Sequence, residues 1–435
     1  MASSEERTPL SDPQALPRRD FFCIDCKSFY ASTEAIKRGI DPLGANIVVL
    51  SREESSGGLV LAASPFCKET YHVKLGTRRF EIKSAMNLTI VEPHMADYIA
   101  KNLRINHIYQ QFTDRPHWFP YSIDESFLDV SGSHKLFGDN DELAARIQHK
   151  VFTETGIVTT AGMGPNPLLA KLALDNAAKK KTPWRAYWGY ADVPTTVQAI
   201  SPLDDMWGIG GRLAKRLNAM GIYTVGELAH ADVRNLHREF GILGDQLYYH
   251  AWGIDYSNLE HRYVPRNENR GYGNSQVLMR DYVSARDCET IIREIAHQVA
   301  ARLRKHKVQC EIVGISIGYA DESDTRRGFF SAQSHVTPTN LDDEIADTCV
   351  RLFYKKWDGT PLRNVGVRCT RISEQHSLQL NLFEAGTRTL QRAQLDAVID
   401  NIQTRFGVKA LVRASSKTNG GTAIARADLI GGHHA

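Results

Sequence analysis

The sequence predicts a multidomain α+β protein, and three observations predict it. From Phe21 to residue 200, short apolar runs alternate with stretches of helical periodicity; residues 201–262 read as short helices punctuated by glycine; residues 271–375 run in the order β-α-β-β-α-β. That last order is the split βαβ pattern of a ferredoxin-like domain, a four-stranded sheet with both helices on one face and the other face free for a ligand. A chain of 435 residues has room for about three domains at roughly 150 residues each.

The elements follow in order. Residues 1–20, polar and carrying Pro9, Pro13 and Pro17, read as a disordered leader. Two apolar runs, 21–26 and Ile47–Ser51, read as strands. From Glu92 to Tyr109, Met95, Ile99, Leu103 and Ile108 recur at nearly helical spacing. Ser122–Val130 reads as a strand with acidic insertions, and Asp141–Thr155 as an amphipathic helix with Leu143, Ile147 and Val151 on one stripe and Gly156 as its stop. Met206–Leu217 and Met220–Leu228 form the glycine-punctuated helical module. Residues 263–270, with Arg266, Asn267, Glu268, Asn269 and Arg270, have the composition of a linker. Beyond it come a strand (Gly271–Met279), a helix (Ala285–Lys305, N-capped by Ser284), two strands (Val308–Tyr319 and Arg327–His335), a helix (Asp342–Tyr354, capped by Thr339 or Asn340) and a strand (Asn364–Ile372). Residues 376–435 form a tail with the peptide Gln379-Leu-Asn-Leu-Phe383, a helix over Thr389–Arg405 and a glycine-rich end.

Composition excludes several classes. At 42% hydrophobic and 24% charged residues the chain is an ordinary globular one, and no stretch approaches the roughly 18 apolar residues of a membrane span. Met1–Arg19 lacks the apolar core of a secretory signal, so a cytoplasmic protein is expected. The net charge of +3 neither demands nor forbids a polyanionic partner. Seven scattered cysteines, an odd number, point to free thiols in a reducing compartment. Cys23 and Cys26 form C-x-x-C, but no second pair follows at zinc-site spacing and the run around them reads as a buried strand.

Three carboxylates carry candidate chemistry: Asp25 at the end of the first apolar strand, and the adjacent Asp124 and Glu125. Acidic side chains at strand ends of an αβ domain gather hard divalent cations such as Mg²⁺, which take oxygen ligands and keep sites open for substrate phosphates. An Asp-Glu pair is also the composition of a solvated turn, and spacing alone leaves both readings open. Successive residues on a straight strand face opposite ways, so Asp124 and Glu125 serve one site only if the backbone turns or bulges between them.

Ile24-Asp25-Cys26-Lys27-Ser28-Phe29-Tyr30-Ala31-Ser32, followed by Tyr121-Ser-Ile-Asp124-Glu125-Ser126-Phe-Leu-Asp129, closely resembles the two signature blocks of the Y-family DNA polymerases, the translesion enzymes, and within them the bacterial UmuC-type branch. Ala161-Gly-Met-Gly164 leading into Leu168-Leu-Ala-Lys-Leu-Ala-Leu-Asp175, the glycine hairpin at 206–228 and the βαββαβ region follow in the family's order. The resemblance spans residues 21–380, and the tail through Gly431-Gly-His-His434 is similar to an extra segment of this branch. It implies a right-hand polymerase: an αβ palm from residues 21–35 and 92–200, small fingers from 36–91, a thumb with a helix-hairpin-helix at 201–262, a linker at 263–270, a ferredoxin-like little finger at 271–375, and a tail at 376–435 bearing a clamp-binding peptide.

The resemblance also implies roles. Asp25, Asp124 and Glu125, with the backbone carbonyl of Cys26, would hold two Mg²⁺ ions for nucleotidyl transfer from deoxynucleoside triphosphates to a primer-template DNA. Tyr30, beside Phe29, would be the steric gate that collides with a 2′-hydroxyl, although Phe29 and Tyr30 also suit a pair of core aromatics. In the fingers, Phe66 and Glu69 stand where the family places triphosphate contacts, which leaves Lys68, Arg78 and Arg79 as candidates on charge grounds; Lys179, in the run 179–181, takes the place of a phosphate-binding lysine. Gly208, Gly210 and Gly211, with Arg212 and Lys215, would aim backbone N–H groups at a DNA phosphate. In the little finger, Arg266, Arg270, Arg280, Arg302, Arg304, Lys305, Lys307, Arg326 and Arg327 supply cations for the duplex backbone. Gln379, Leu380, Leu382 and Phe383 resemble the peptide that binds the bacterial sliding clamp. Accessory SOS proteins are further partners the resemblance allows. A catalytically silent DNA- and clamp-binding adaptor on the same scaffold is the alternative, and the intact carboxylates stand against it.

Overall fold

The computed structural model describes residues 9–10, 16–51, 58–261, 270–320, 328–375 and 386–434. It divides into two compact units, Met1–Arg262 and Tyr263–Ala435.

The first unit contains β1 (Phe21–Cys26), α1 (Phe29–Lys37), β2 (Ile47–Leu50), β3 (Val60–Ala63), α2 (Pro65–Tyr71), β4 (Thr89–Val91), α3 (Met95–Tyr109), β5 (Trp118–Pro120), β6 (Glu125–Asp129), α4 (His134–Phe137), α5 (Asn140–Thr155), β7 (Thr159–Gly164), α6 (Pro167–Asn176), β8 (Arg185–Tyr187), and then α7 (Gly211–Ala219), α8 (Val225–Ala229), α9 (Val233–Phe240) and α10 (Ile242–Ala251). Its main sheet has the order β5-β6-β1-β7-β8, and a smaller sheet the order β3-β2-β4. β1 is central, antiparallel to both β6 and β7, and is apolar on both faces. Phe22 and Ile24 pack towards α3 and α5, Phe21 and Cys23 towards Ala170 and Leu174 of α6. Gly162 of β7 lets α6 press onto the sheet, because a Cβ there would stand 2.1 Å from the Ala170 carbonyl oxygen and 2.3 Å from the Leu174 nitrogen.

Several local expectations are corrected. Residues 16–20 are not disordered: Leu16 is buried with Leu168 and Leu172, and the Pro17 carbonyl accepts from the Tyr190 hydroxyl at 2.9 Å. On α3 the buried stripe is Tyr98, Ile105, Ile108 and Tyr109, while Leu103 is exposed. The second strand of the site begins at Glu125, since residues 122–124 bend. α5 is capped by Asp139, which accepts from the Glu142 N–H, and stops at Gly156 in the left-handed conformation.

The second unit contains β9 (Tyr272–Tyr282), α11 (Ala285–Lys305), β10 (Val308–Tyr319), β11 (Phe329–Thr339), α12 (Asp342–Lys356), β12 (Leu362–Glu374), α13 (Gly386–Phe406), α14 (Ala423–Arg426), β13 (Leu429–Ile430) and β14 (His433–His434). The four long strands are antiparallel in the order β11-β10-β12-β9. Each helix therefore joins two strands with a third between them, the split βαβ connection. Val313, Ile315 and Ile317 of β10 point into the core with α11 and α12, and the alternate positions Gly314, Ser316 and Gly318 belong to the opposite face.

Two side-chain expectations change here. α12 is capped by neither Thr339 nor Asn340: Leu341 is the N-cap residue, and the Asp342 N–H donates to Asp396 of α13 at 3.0 Å. Arg304 is no surface cation. Its guanidinium lies among Asp342, Asp396 and Asp400, tying α13 down. The glycine-rich end is folded too, with the Thr422 N–H donating to Glu294 at 2.9 Å and Arg426 to Gln276 at 2.7 Å.

Candidate active site

Backbone register assembles the acids. Asp25 lies opposite Glu125 across β1–β6, and the Cys26 N–H donates to the Asp124 carbonyl at 2.9 Å. The sharp turn demanded by two adjacent acids is present. The Ser122 hydroxyl donates to Asp124 at 2.6 Å and accepts from the Glu125 N–H at 3.0 Å, while the Tyr121 and Ser122 N–H groups converge on the Glu125 carbonyl at 2.9 and 3.0 Å.

Electrostatics bind the three together. The Asp25 carboxyl is pushed up to about 6, by burial first and then by Asp124 and Glu125, against the pull of Lys179. Repulsion among the acids opposes their ionisation, and nearby cations offset part of it. Those cations are ammonium groups. Lys171, itself buried, lies 2.8 Å from Glu125, and Lys179 lies 3.3 Å from Asp25. Cys23 donates its S–H to Glu125 at 2.9 Å. Among the described residues no group of three or more His, Cys, Asp and Glu side chains is closed into a metal cage. The donor set suits a hard divalent cation all the same: three carboxylates meet at the strand ends, two of them held by ammonium groups that such a cation would have to displace.

Beside the acids, Tyr30 stacks on Tyr98 with ring centroids 4.3 Å apart and planes 13° from parallel. Burial and the Asp124 carboxylate raise the Tyr30 hydroxyl above its ordinary value. Tyr98 is anchored in turn, its hydroxyl donating at 2.9 Å to the fully buried Glu34, which also accepts from Arg38 at 2.6 Å and meets His94 at 2.8 Å. Phe29 behaves differently: its ring is 3% exposed and packs in the core, so only its backbone at the first turn of α1 remains for a ligand.

Lys68 reaches from α2 to the Ser28 hydroxyl at 2.8 Å. Partial desolvation of its ammonium lowers its pKa against the pull of Asp25 and Asp124. Lys27 completes the cationic group, 5.0 Å over the Trp184 ring and within the field of Asp25, Lys68 and Lys179. The structure thus brings Asp25, Asp124, Glu125, Tyr30, Lys68 and Lys179 to one place and adds Lys27, Lys171 and Cys23, which sequence reasoning missed. A charged Lys171 inside the apolar run Leu168–Leu174 was the available signal.

Gly208, Gly210 and Gly211 stand at the exposed start of α7, with Arg212 and Lys215 exposed on the same helix. Gly208 has φ +96°, and a Cβ at any of the three would meet nothing of the chain within 4 Å. Their small size is therefore not demanded from inside the protein. In the second unit the open sheet face carries a concavity of about 810 Å³ lined by Ser316, Ser331, Gln333, Lys356 and Arg368. Arg270, Arg280, Arg302, Lys305 and Lys307 are exposed, while Arg266, Arg326, Arg327 and the peptide Gln379–Phe383, with Leu380 and Leu382, lie outside the described residues.

Comparison with known proteins agrees with this architecture. The model of the impB/mucB/samB family matches residues 24–175 and that of its C-terminal domain residues 269–382, while a thumb-domain model named for DNA polymerase iota matches residues 204–255. UvrX of Bacillus subtilis (strain 168), a candidate UV-damage repair protein by its name, is 38% identical over 98% of this chain and 100% of its own length. DNA polymerase IV 2 of the same organism is 35% identical over 95% of this chain and 98% of its own. A solved Y-family DNA polymerase chimera of Dbh with a Dpo4 segment shares the fold at a TM-score of 0.61 and 21% identity, over 82% of this chain and 99% of its own. The class defined is a right-hand polymerase fold with a helix-hairpin-helix thumb. Within it, the chain belongs to the impB/mucB/samB family of Y-family DNA polymerases.

Proposed function

We propose that the chain is a template-directed DNA polymerase of the translesion type, adding deoxynucleotides to a primer opposite damaged template. The observation that carries this reading is the pairing of Asp25 with Glu125 across β1–β6, with Asp124 in the adjoining bend. Residues 21–35 and 92–200 would be the palm, 36–91 the fingers, 201–262 the thumb, 263–270 a linker and 271–375 the little finger.

Asp25, Asp124 and Glu125, with the Cys26 carbonyl, would hold two Mg²⁺ ions. Those ions would supply Lewis acidity at the primer 3′-hydroxyl and charge neutralisation at the departing pyrophosphate. The chain's own residues do the rest. Lys27, Lys68 and Lys179 surround the place a triphosphate would occupy, offering cations to its phosphates. Tyr30, backed by the stacked Tyr98, presents a rigid wall to the incoming sugar. Gly208, Gly210 and Gly211 leave the start of α7 bare for close approach of a DNA phosphate, and the polar open face of β10 and β12, with Arg368 and Lys356, offers the second unit's surface to the duplex. Gln379–Phe383 would tether the enzyme to the sliding clamp. Among the described residues no helix is long and apolar enough to cross a membrane.

Primer extension decides between this reading and the silent adaptor. The wild-type protein is expected to extend a primer across an abasic template with Mg²⁺. Asp124→Ala should lose extension at least about a thousandfold while binding the same DNA within about twofold. Comparable extension by the variant, or none by the wild type, overturns the assignment.

A further inference from the structure

Five charged side chains form one alternating row. Glu125 meets Lys171 at 2.8 Å, Lys171 meets Asp175 at 3.0 Å, Asp175 meets Lys179 at 2.9 Å, and Lys179 meets Asp25 at 3.3 Å. The three inner members are spaced i, i+4, i+8, from α6 into the helical turn that follows it, so one helical face presents two ammonium groups to two of the acids. Asp175 touches neither acid, and its only charged partners among the described contacts are the two lysines.

We propose that Asp175 is a positioning residue, the shared counter-ion that gives Lys171 and Lys179 a second carboxylate and so loosens their hold on the metal-binding acids; this rests on the two-metal reading above. The argument is one of competition. An ammonium with a single carboxylate partner in a partly desolvated site holds that partner tightly. Shared between two carboxylates, it surrenders either more readily. With Asp175 in place, Lys179 would release Asp25 to a divalent cation and still keep a partner and its position. Without that charge, Lys179 and Lys171 compete with the cation for Asp25 and Glu125, and the net charge of the row rises by one.

The full-length protein is titrated with Mn²⁺ by calorimetry, with no DNA or nucleotide present. Asp175→Asn, nearly isosteric, is expected to weaken Mn²⁺ binding about tenfold or more, within the range typical of groups that orient metal ligands, and Asp175→Glu to restore most of it. Removing the restrained ammonium separates positioning from folding: in a Lys179→Met background the Asp175→Asn penalty should shrink to about threefold or less. Wild-type affinity in folded Asp175→Asn, or an undiminished penalty in the Lys179→Met background, overturns the proposal alone. Failure of the two-metal reading is distinct, since Asp124→Ala would then titrate like the wild type.

Discussion

At the scale of single residues, Asp25 and Tyr30 carry separable consequences. Burial and two neighbouring acids hold the Asp25 pKa at about 6, above its ordinary value of 3.8. The folded state therefore prefers the protonated acid. In the metal-free protein ionised Asp25 costs stability above pH 6, and that cost disappears as pH falls through the interval towards 3.8. Metal-free Asp25→Asn should then be more stable than the wild type at pH 7 by on the order of 2 kcal/mol, with the difference fading by pH 4.5; equal melting curves at pH 7 contradict this. Protons and cation also compete for the same oxygens, so the Mg²⁺-induced rise in wild-type Tm should collapse below pH 6. Tyr30 acts through shape. Tyr30→Ala removes the ring but leaves Tyr98 and its Glu34 anchor, so ribonucleotide incorporation relative to deoxyribonucleotide should rise at least about tenfold with little loss of deoxynucleotide insertion. Unchanged sugar discrimination would remove the gate from Tyr30. Both residues entered as candidates through the resemblance of Ile24–Ser32 to the family's first signature block. Lys27 and Lys171 were not given roles because their partners lie on other elements, and only the pairing of β1 with β6 and the seating of α6 bring them together; Asp175 has its partners at i−4 and i+4, but they matter only once Lys171 and Lys179 reach Glu125 and Asp25.

At the scale of elements, the site depends on how closely α6 lies against β7. Gly162→Ala would drive a methyl group into the backbone of α6, where Ala170 and Leu174 have no room to retreat without moving the helix that carries Lys171 and Asp175. A loss of about 1–3 kcal/mol is the usual cost of overpacking, and because backbone is the obstacle the upper end is expected, with activity falling more steeply than stability. Chemical denaturation and single-nucleotide insertion on one sample check both. Periodicity located most of these elements, among them α5, α11 and the four long strands of the second unit, since their apolar repeats match a buried face. It failed where a distant side chain decides the outcome. The N-terminus of α12 looked like a case for Thr339 or Asn340, yet the acceptor is Asp396 of α13, supplied from far along the chain. Arg304 looked like one more basic residue and is instead held by Asp342, Asp396 and Asp400. Arg304→Ala leaves three acids close together with their guanidinium gone, a change of about 3–5 kcal/mol for a buried pair. Hydrogen exchange across Gly386–Phe406 should become fast while that of β10 stays slow, and protection unchanged in both would refute the latch.

At the scale of the whole molecule, a net charge of only +3 over 435 residues constrains how the enzyme stays on DNA. Binding that relies on phosphate contacts weakens with a slope of about −0.9 in log affinity against log salt for each phosphate neutralised. Of the second unit's basic residues, Arg304 is withdrawn into the α13 contact and Arg280 donates to the Asn419 carbonyl at 2.7 Å, so fewer cations face a duplex than the composition suggests. An enzyme of that kind gains most from a tether, which replaces bimolecular encounter by an effective concentration in the millimolar range for a short flexible link. The peptide Gln379–Phe383 lies between the end of β12 at Glu374 and the start of α13 at Gly386, joined to the second unit on both sides. Alanine at Gln379 and Phe383 should therefore leave primer extension without clamp unchanged at any salt concentration. With clamp loaded, extension by the double variant at 150 mM salt should fall at least about tenfold below wild type, and the gap should narrow as salt is lowered and direct DNA binding strengthens. A variant that responds to the clamp as the wild type does would assign those residues to folding alone.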